Sequence, residues 1–148
     1  MQVVLASSKH LSLATNVLLE GYFANHREAR KTLVQKIKNK ECIVAVKNGE
    51  VAGVLNYARN YSHYANYVED IIVAKAHRRT GVATALFEKY VAVSRKEQSR
   101  KQPYALSSTA VVNTASIALH ASFGFVVLGT VKKLHYGKDE IIFGYKLR

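Results

Sequence analysis

Fourteen residues near the middle of the chain constrain it most. Asp70-Ile71-Ile72-Val73 reads as the end of a β run, Ala74-Lys75-Ala76-His77 as a turn, and Arg78-Arg79-Thr80-Gly81-Val82-Ala83 as the opening of a helix. A helix start leaves backbone N–H groups unpaired and carries partial positive charge, which together suit a phosphate. Gly81 and the small Ala83 let the backbone approach such a group closely. Lys75, Arg78 and Arg79 add formal charge, and the hydroxyls of Thr80 and Thr84 can donate. The glycine pattern is too short for a dinucleotide fingerprint, and it lacks the Gly-Lys-Ser/Thr of a triphosphate loop.

The flanking sequence supplies the rest of the fold. Gln2 to Ala6 reads as a short strand, and Leu11, Ala14, Leu18 and Tyr22 recur at helical spacing. A second helix starts at Asn25, with Glu28 three residues on as in a capping box, and its apolar stripe is Ala29, Leu33, Val34 and Ile37. Glu41 to Val46 and Val51 to Tyr57 are β-rich and separated by Lys47-Asn48-Gly49-Glu50, a hairpin signal. A strand through Tyr67 to Ala74 precedes the helix from about Gly81 to Glu97. Ala105 to Val111 is a further strand, and a helix from Asn113 ends at Gly124, placed for a left-handed cap. Phe125 to His135 and Ile141 to Leu147 close the chain around a turn at Gly137-Lys138-Asp139. The order β-α-α-β-β-β-α-β-α-β-β predicts one α/β (α+β) domain over residues 1–148, with a mixed sheet and helices on both faces.

Composition narrows the function classes. Hydrophobic residues make up 49% and charged residues 22%, a globular balance. No apolar run approaches the ~20 residues of a membrane helix, so no membrane partner is expected. The single cysteine, Cys42, permits no intrachain disulfide, and a cytoplasmic setting is the natural expectation. It sits in a β run as a small buried hydrophobe. The six histidines show no paired ligand spacing, so no metal is expected. The net charge of +12 admits nucleic acid or a polyanionic small molecule. Lys75, Arg78, Arg79, Arg95, Lys96, Arg100 and Lys101 gather around the helix that starts at Gly81, which favours the second.

The junction resembles motif A of the GNAT superfamily of N-acetyltransferases: a strand, a four-residue turn, then Arg78-x-x-Gly81-x-Ala83 opening a helix. Asn113 to Phe125 resembles motif B of the same superfamily, with Asn113 at its head and Gly124-Phe125 at its close. The resemblance implies a GNAT-like, mostly antiparallel sheet of about seven strands with four helices. It implies acetyl-CoA as co-substrate, with the backbone of Arg79, Thr80, Gly81, Val82 and Ala83 and the side chains of Arg78 and Thr84 around its pyrophosphate. Ile71, Ile72 and Val73 would pair with the pantetheine arm like an added strand. Asn113 and Ser116 would approach the cofactor from the opposite side, where two neighbouring strands splay apart.

Transfer to an amine needs a proton acceptor, because an alkylammonium titrates near pH ~10. Glu69 is the expected base, sharing strand parity with Tyr67, Ile71 and Val73 while Asp70 faces the other way. A backbone N–H near Ile71 to Val73 would polarise the carbonyl. His120 stands where many members of the superfamily carry a tyrosine that protonates the departing thiolate, and an imidazole can donate there too. Tyr67, Tyr90, Ser107, Ser108 and Thr109 are substitutes for that acid. Few acids are present: Glu20 and Glu28 flank the loop between the first helices, Asp139 and Glu140 sit at the last hairpin, and Glu69 lies between. The resemblance implies an acceptor pocket at those two loops, which would suit a cationic amine. The expected partners are acetyl-CoA and a primary amine, small or at a protein N-terminus or lysine, on a monomer or homodimer. Two other classes fit the pattern: a CoA-binding regulator without turnover, and a basic protein that binds or acetylates RNA. The second draws on Arg27, Arg30, Lys31, Lys36, Lys38 and Lys40, but no recognisable nucleic-acid-binding motif is present.

Overall fold

The computed structural model describes residues 1–148. Seven strands run β1 (Gln2–Leu5), β2 (Cys42–Lys47), β3 (Glu50–Ser62), β4 (Ala65–Val73), β5 (Tyr104–Ala110), β6 (Val126–His135) and β7 (Lys138–Lys146). Four helices, α1 (Leu11–Leu19), α2 (His26–Lys38), α3 (Val82–Glu97) and α4 (Thr114–Phe123), complete the expected order. The sheet order is β1-β2-β3-β4-β5-β7-β6, and only the β4–β5 pair is parallel. No helix is long and apolar enough to cross a membrane.

Local chemistry sets the helix ends. The Asn25 side chain accepts from Glu28 N–H and starts α2, and the Asn113 side chain accepts from Ser116 N–H and starts α4. Gly124, with φ +112°, stops α4 in the left-handed region. The hairpin after β3 is longer than the sequence suggests. It turns through His63 and Tyr64, both at positive φ, without the glycine or asparagine that usually marks such turns. The last turn falls at Tyr136-Gly137, one residue earlier than expected. Tyr22 does not continue the α1 stripe, since the helix ends at Leu19.

The two faces of the sheet carry separate apolar clusters. Leu86, Phe87 and Tyr90 of α3 pack with Ile43, Leu55, Tyr57 and Phe143 on one face. Leu18 of α1 and Ala29 and Leu33 of α2 pack with Val44, Val54 and Ile72 on the other. Gly53 of β3 fixes how closely α3 lies. A Cβ there would sit 2.7 Å from Val82 Cγ1 and 3.0 Å from Leu86 Cδ1. The absent side chain therefore seats the first turn of α3 directly on the sheet.

Two irregularities interrupt the sheet around β4. Asn56 pairs with Asp70 but the next β3 residue, Tyr57, pairs with Val68, so Glu69 is the extra residue of a β-bulge. The bulge breaks the expected alternation: Val68 and Ile71 both join the α3-side cluster, and Glu69 does not share parity with both Tyr67 and Ile71. Beyond the single register pair Tyr67–Leu106, β4 and β5 part. From Glu69 to Val73, the edge of β4 facing β5 has no partner.

Candidate active site

Two grooves open where β4 and β5 separate. The first, about 670 Å³, is lined by Ile71, Ile72 and Val73 of β4, by Arg78, Arg79, Gly81, Val82, Ala83 and Thr84, and by Asn113, Ser116 and Leu119 of α4. The second, about 600 Å³, lies toward the β6–β7 hairpin and is lined by Tyr67, Glu69, Ser107, Ser108, Leu134, His135, Tyr136 and Glu140, among others. Tyr22, Ile71, Asn113 and Ser116 line both, so the grooves are continuous at those four residues.

The first groove is built to receive an anion. Every backbone N–H from Arg79 to Thr84 lacks a protein partner, and the first helical bond is Ala85 N–H to Gly81 O at 3.0 Å. Arg79 (φ +59°) and Gly81 (φ +83°) are both left-handed, which curls this segment around the groove. A Cβ on Gly81 would meet nothing within 4 Å, so it would project into open space rather than into the protein. No acid occupies the first turn of α3. Arg78 folds its Nε back to Val73 O at 3.3 Å, holding its guanidinium at the groove rim. Thr80 is the one expected residue that does not line this groove: its hydroxyl donates to His77 O instead.

The expected basic cluster divides. Lys75, Arg78 and Arg79 lie at the head of α3, whereas Arg95 and Lys96 are in its last turn. At 1.5 Å per residue that separates them from Gly81 by roughly 20 Å. Arg95 donates to Leu147 O and Arg148 to Arg95 O, so that end of the cluster ties the C-terminus to α3.

Glu69 lines the second groove and its side chain is 37% exposed. Lys36 Nζ reaches Glu69 Oε1 at 2.9 Å, Tyr57 O at 2.8 Å and Glu41 Oε2 at 3.3 Å, which uses all three ammonium protons. Lys36, which the sequence groups with the basic residues of a nucleic-acid-binding helix, turns inward instead. It lies three positions after buried Leu33 on α2, so helical periodicity marks it as inward-facing. Tyr22 was missed; its hydroxyl reaches over β4 to Glu69 O at 3.4 Å. Tyr67 contacts Ser108 through their hydroxyls and stacks on Tyr61, while Tyr57 is a core residue and Tyr64 a turn residue.

His120 does not face either groove. It is 1% exposed, stacked on Phe143 with centroids 4.5 Å apart, and enclosed further by Phe87 and Phe125. Its Nδ1 lies 2.7 Å from Ser116 O and its Nε2 lies 2.8 Å from Ser107 Oγ. A carbonyl oxygen only accepts, so Nδ1 carries the proton. Burial lowers the imidazole pKa and keeps the ring neutral. Nε2 is then a bare acceptor, and Ser107 donates to it. The expectation of direct proton donation by His120 is thus corrected: the ring acts on the site only through the Ser107 hydroxyl. Of the substitutes, Tyr90 is spent on Leu106 O in the core, while Ser107, Ser108, Thr109 and Tyr67 line the second groove.

The other acids separate just as clearly. Glu20 accepts from Lys75 N–H, Glu28 lies in the first turn of α2, and Asp139 accepts from Lys133 N–H. Only Glu69 and Glu140 reach the second groove. Cys42 is buried and its thiol is pushed up to about 12 by burial, consistent with a packing role.

Comparison with known proteins places this geometry. A family profile described as Acetyltransferase (GNAT) family matches residues 12–125. Among solved structures, a GNAT-family acetyltransferase of Bacillus cereus is 25% identical, with a TM-score of 0.82 over 98% of this chain and 96% of that one. A ribosomal-protein-alanine N-acetyltransferase of Brucella melitensis is 22% identical, with a TM-score of 0.78 over 99% of this chain and 100% of that one. The yncA acetyltransferase of Salmonella typhimurium, solved with its cofactor acetyl-CoA, is 19% identical, with a TM-score of 0.80 over 100% and 94%. No curated protein matches the sequence significantly.

Proposed function

Because the chain belongs to the acetyltransferase (GNAT) family of acetyl-CoA-dependent transferases, we propose that it acetylates a primary amine by direct transfer in a ternary complex. Acetyl-CoA supplies an activated thioester and a thiolate leaving group. The observation that carries the reading is the run of unpartnered N–H groups from Arg79 to Thr84, opening onto the same groove as the unpaired edge of β4.

Each part of that groove fits one part of the co-substrate. The free amides, with Arg78 and Arg79, suit a pyrophosphate. The Ile71 to Val73 edge offers alternate donors and acceptors to the amides of a pantetheine arm. Asn113 and Ser116 close the groove from α4, and the Asn113 amide nitrogen has no protein partner to give up. At the Glu69 bulge the β3–β4 ladder is interrupted, which frees β4 backbone for a carbonyl oxygen as charge develops on it.

The second groove would hold the amine. Glu69 accepts the ammonium proton, directly or through a water, and its bond to Lys36 fixes where that carboxylate sits. The hydroxyls of Tyr22 and Ser116 lie where the two grooves meet and are the O–H donors there for the departing sulfur. A thiol near pKa ~8.5 needs only a weak acid, so a hydroxyl suffices.

The test is acetyl-CoA-dependent thiol release across a panel of amines and peptides. Glu69→Gln should lower kcat/KM by roughly 10²–10⁴, less for acceptors of low pKa that arrive neutral. An equal loss across acceptors of different pKa would point to binding instead. Absence of thiol release with every acceptor, while acetyl-CoA still binds, would favour the regulator class.

A further inference from the structure

The second groove contradicts the charge of the chain that builds it. The sequence holds 22 Lys and Arg against 10 Asp and Glu, yet no Lys or Arg lines this groove and two glutamates do. Glu140 is the more informative. It is only 7% exposed, and its Oε2 has no hydrogen-bond partner although the residue lines the groove. His135 Nδ1 comes within 3.0 Å of that oxygen without hydrogen-bond geometry, and the His135 side chain is 48% exposed. A buried carboxylate oxygen left without a donor costs free energy unless something supplies one.

The rings of Tyr22, Tyr67 and Tyr136 line the same groove, and aromatic faces attract cations. Glu69 and Glu140 stand on β4 and β7, which flank β5 in the sheet. Two regular strand spacings alone would set their backbones roughly 10 Å apart, and the parting of β4 from β5 beyond Tyr67–Leu106 sets them farther. One carboxylate serves the reacting nitrogen; the other is too far away to serve the same atom.

We propose that Glu140 anchors a second, non-reacting ammonium, so that the acceptor is a short di- or oligoamine. The substrate class rests on the acetyltransferase reading above, but the binding site does not. Glu140 supplies the charged acceptor, and Tyr22, Tyr67 and Tyr136 flank the alkyl chain between the two nitrogens. A monoamine fills only the Glu69 end.

Calorimetry separates the two claims. Butane, pentane and hexane diamines and the matching monoalkylamines are titrated into the protein, and thiol release with acetyl-CoA is followed for the same compounds. The parent protein should bind at least one diamine about 10–100-fold more tightly than its monoamine, the range for a hydrogen bond to a charged group. Glu140→Gln should abolish that preference and leave monoamine binding unchanged. His135→Ala removes the neighbouring imidazole from an exposed position and should bind the diamine at least as tightly as the parent, a check that survives if Glu140→Gln does not fold. Equal affinity for diamines and monoamines, a preference retained in Glu140→Gln, or a loss in His135→Ala would each overturn the anchor. Diamine binding that depends on Glu140 without thiol release would keep the site and instead refute the acetyltransferase reading.

Discussion

Asp70 is the buried acid whose environment makes the sharpest thermodynamic prediction. It is 8% exposed, and burial pushes its carboxyl up from the usual 3.8 to about 6. Its one side-chain partner is Asn56, whose Nδ2 donates to Asp70 Oδ2 at 3.0 Å, while Asn56 Oδ1 is buried with no donor. An ionised Asp70 cannot satisfy that oxygen; a protonated one carries the needed O–H. Because the folded pKa lies above the unfolded one, the contribution is fully favourable below pH ~3.8 and is lost as pH rises through about 6. A displacement from 3.8 to about 6 is worth about 3 kcal/mol at 1.36 kcal/mol per pH unit. Asp70→Asn keeps the shape, removes the charge and can exchange two hydrogen bonds with Asn56. We expect it to be more stable than the parent by about 1–3 kcal/mol at pH 8, with the gain shrinking toward zero by about pH 3.5. Urea unfolding of both proteins at the two pH values measures the difference. A gain independent of pH, or a loss at pH 8, would refute the reasoning.

Two further predictions concern packing around the site. Gly53→Ala should cost about 1–3 kcal/mol by thermal melt, and it should weaken acetyl-CoA binding, because the added methyl collides with Val82 and Leu86 and shifts the head of α3. His120→Ala should lower stability by about 2–4 kcal/mol through the lost aromatic packing and the orphaned Ser107 donor. Turnover per folded molecule should then change far less than total activity. Burial lowers the His120 pKa, so its share of stability is present above pH ~6.5 and lost as pH falls below it, and that dependence should vanish in the variant.

The parts of the structure legible in the sequence are those decided within a few residues. Asn25 with Glu28, Asn113 with Gly124, and Gly81 before an apolar helix each name a cap, and each cap is where the local chemistry puts it. What escaped depends on partners distant in sequence. The Glu69 bulge is a mismatch of register between β3 and β4, and nothing in Tyr67-Val68-Glu69-Asp70 marks it. His120 follows a helical register that does place it on the sheet side of α4, but the same register leads into Phe87, Phe125 and Phe143 rather than the groove. The basic residues after Val93 do not gather with Arg78, a separation that the helix expected from Gly81 to Glu97 already implies at 1.5 Å per residue. The pairing of Lys36 with Glu69 joins residues 33 positions apart, which only the folded sheet brings together.

The central claim is that the backbone from Arg79 to Thr84 cradles the phosphates of acetyl-CoA, and calorimetric titration of acetyl-CoA into the parent and Gly81→Asp proteins tests it most directly. The Gly81 Cβ position is open, so the substitution adds only the strain of a left-handed residue, about 1–2 kcal/mol, to a protein that should still fold. Gly81 lines the groove beside the free amides, so the new carboxylate adds negative charge and bulk where a pyrophosphate would approach. The parent should bind acetyl-CoA, and folded Gly81→Asp should lose more than about 100-fold in affinity, roughly one or two charged hydrogen bonds. Unchanged affinity in folded Gly81→Asp protein would contradict the cradle.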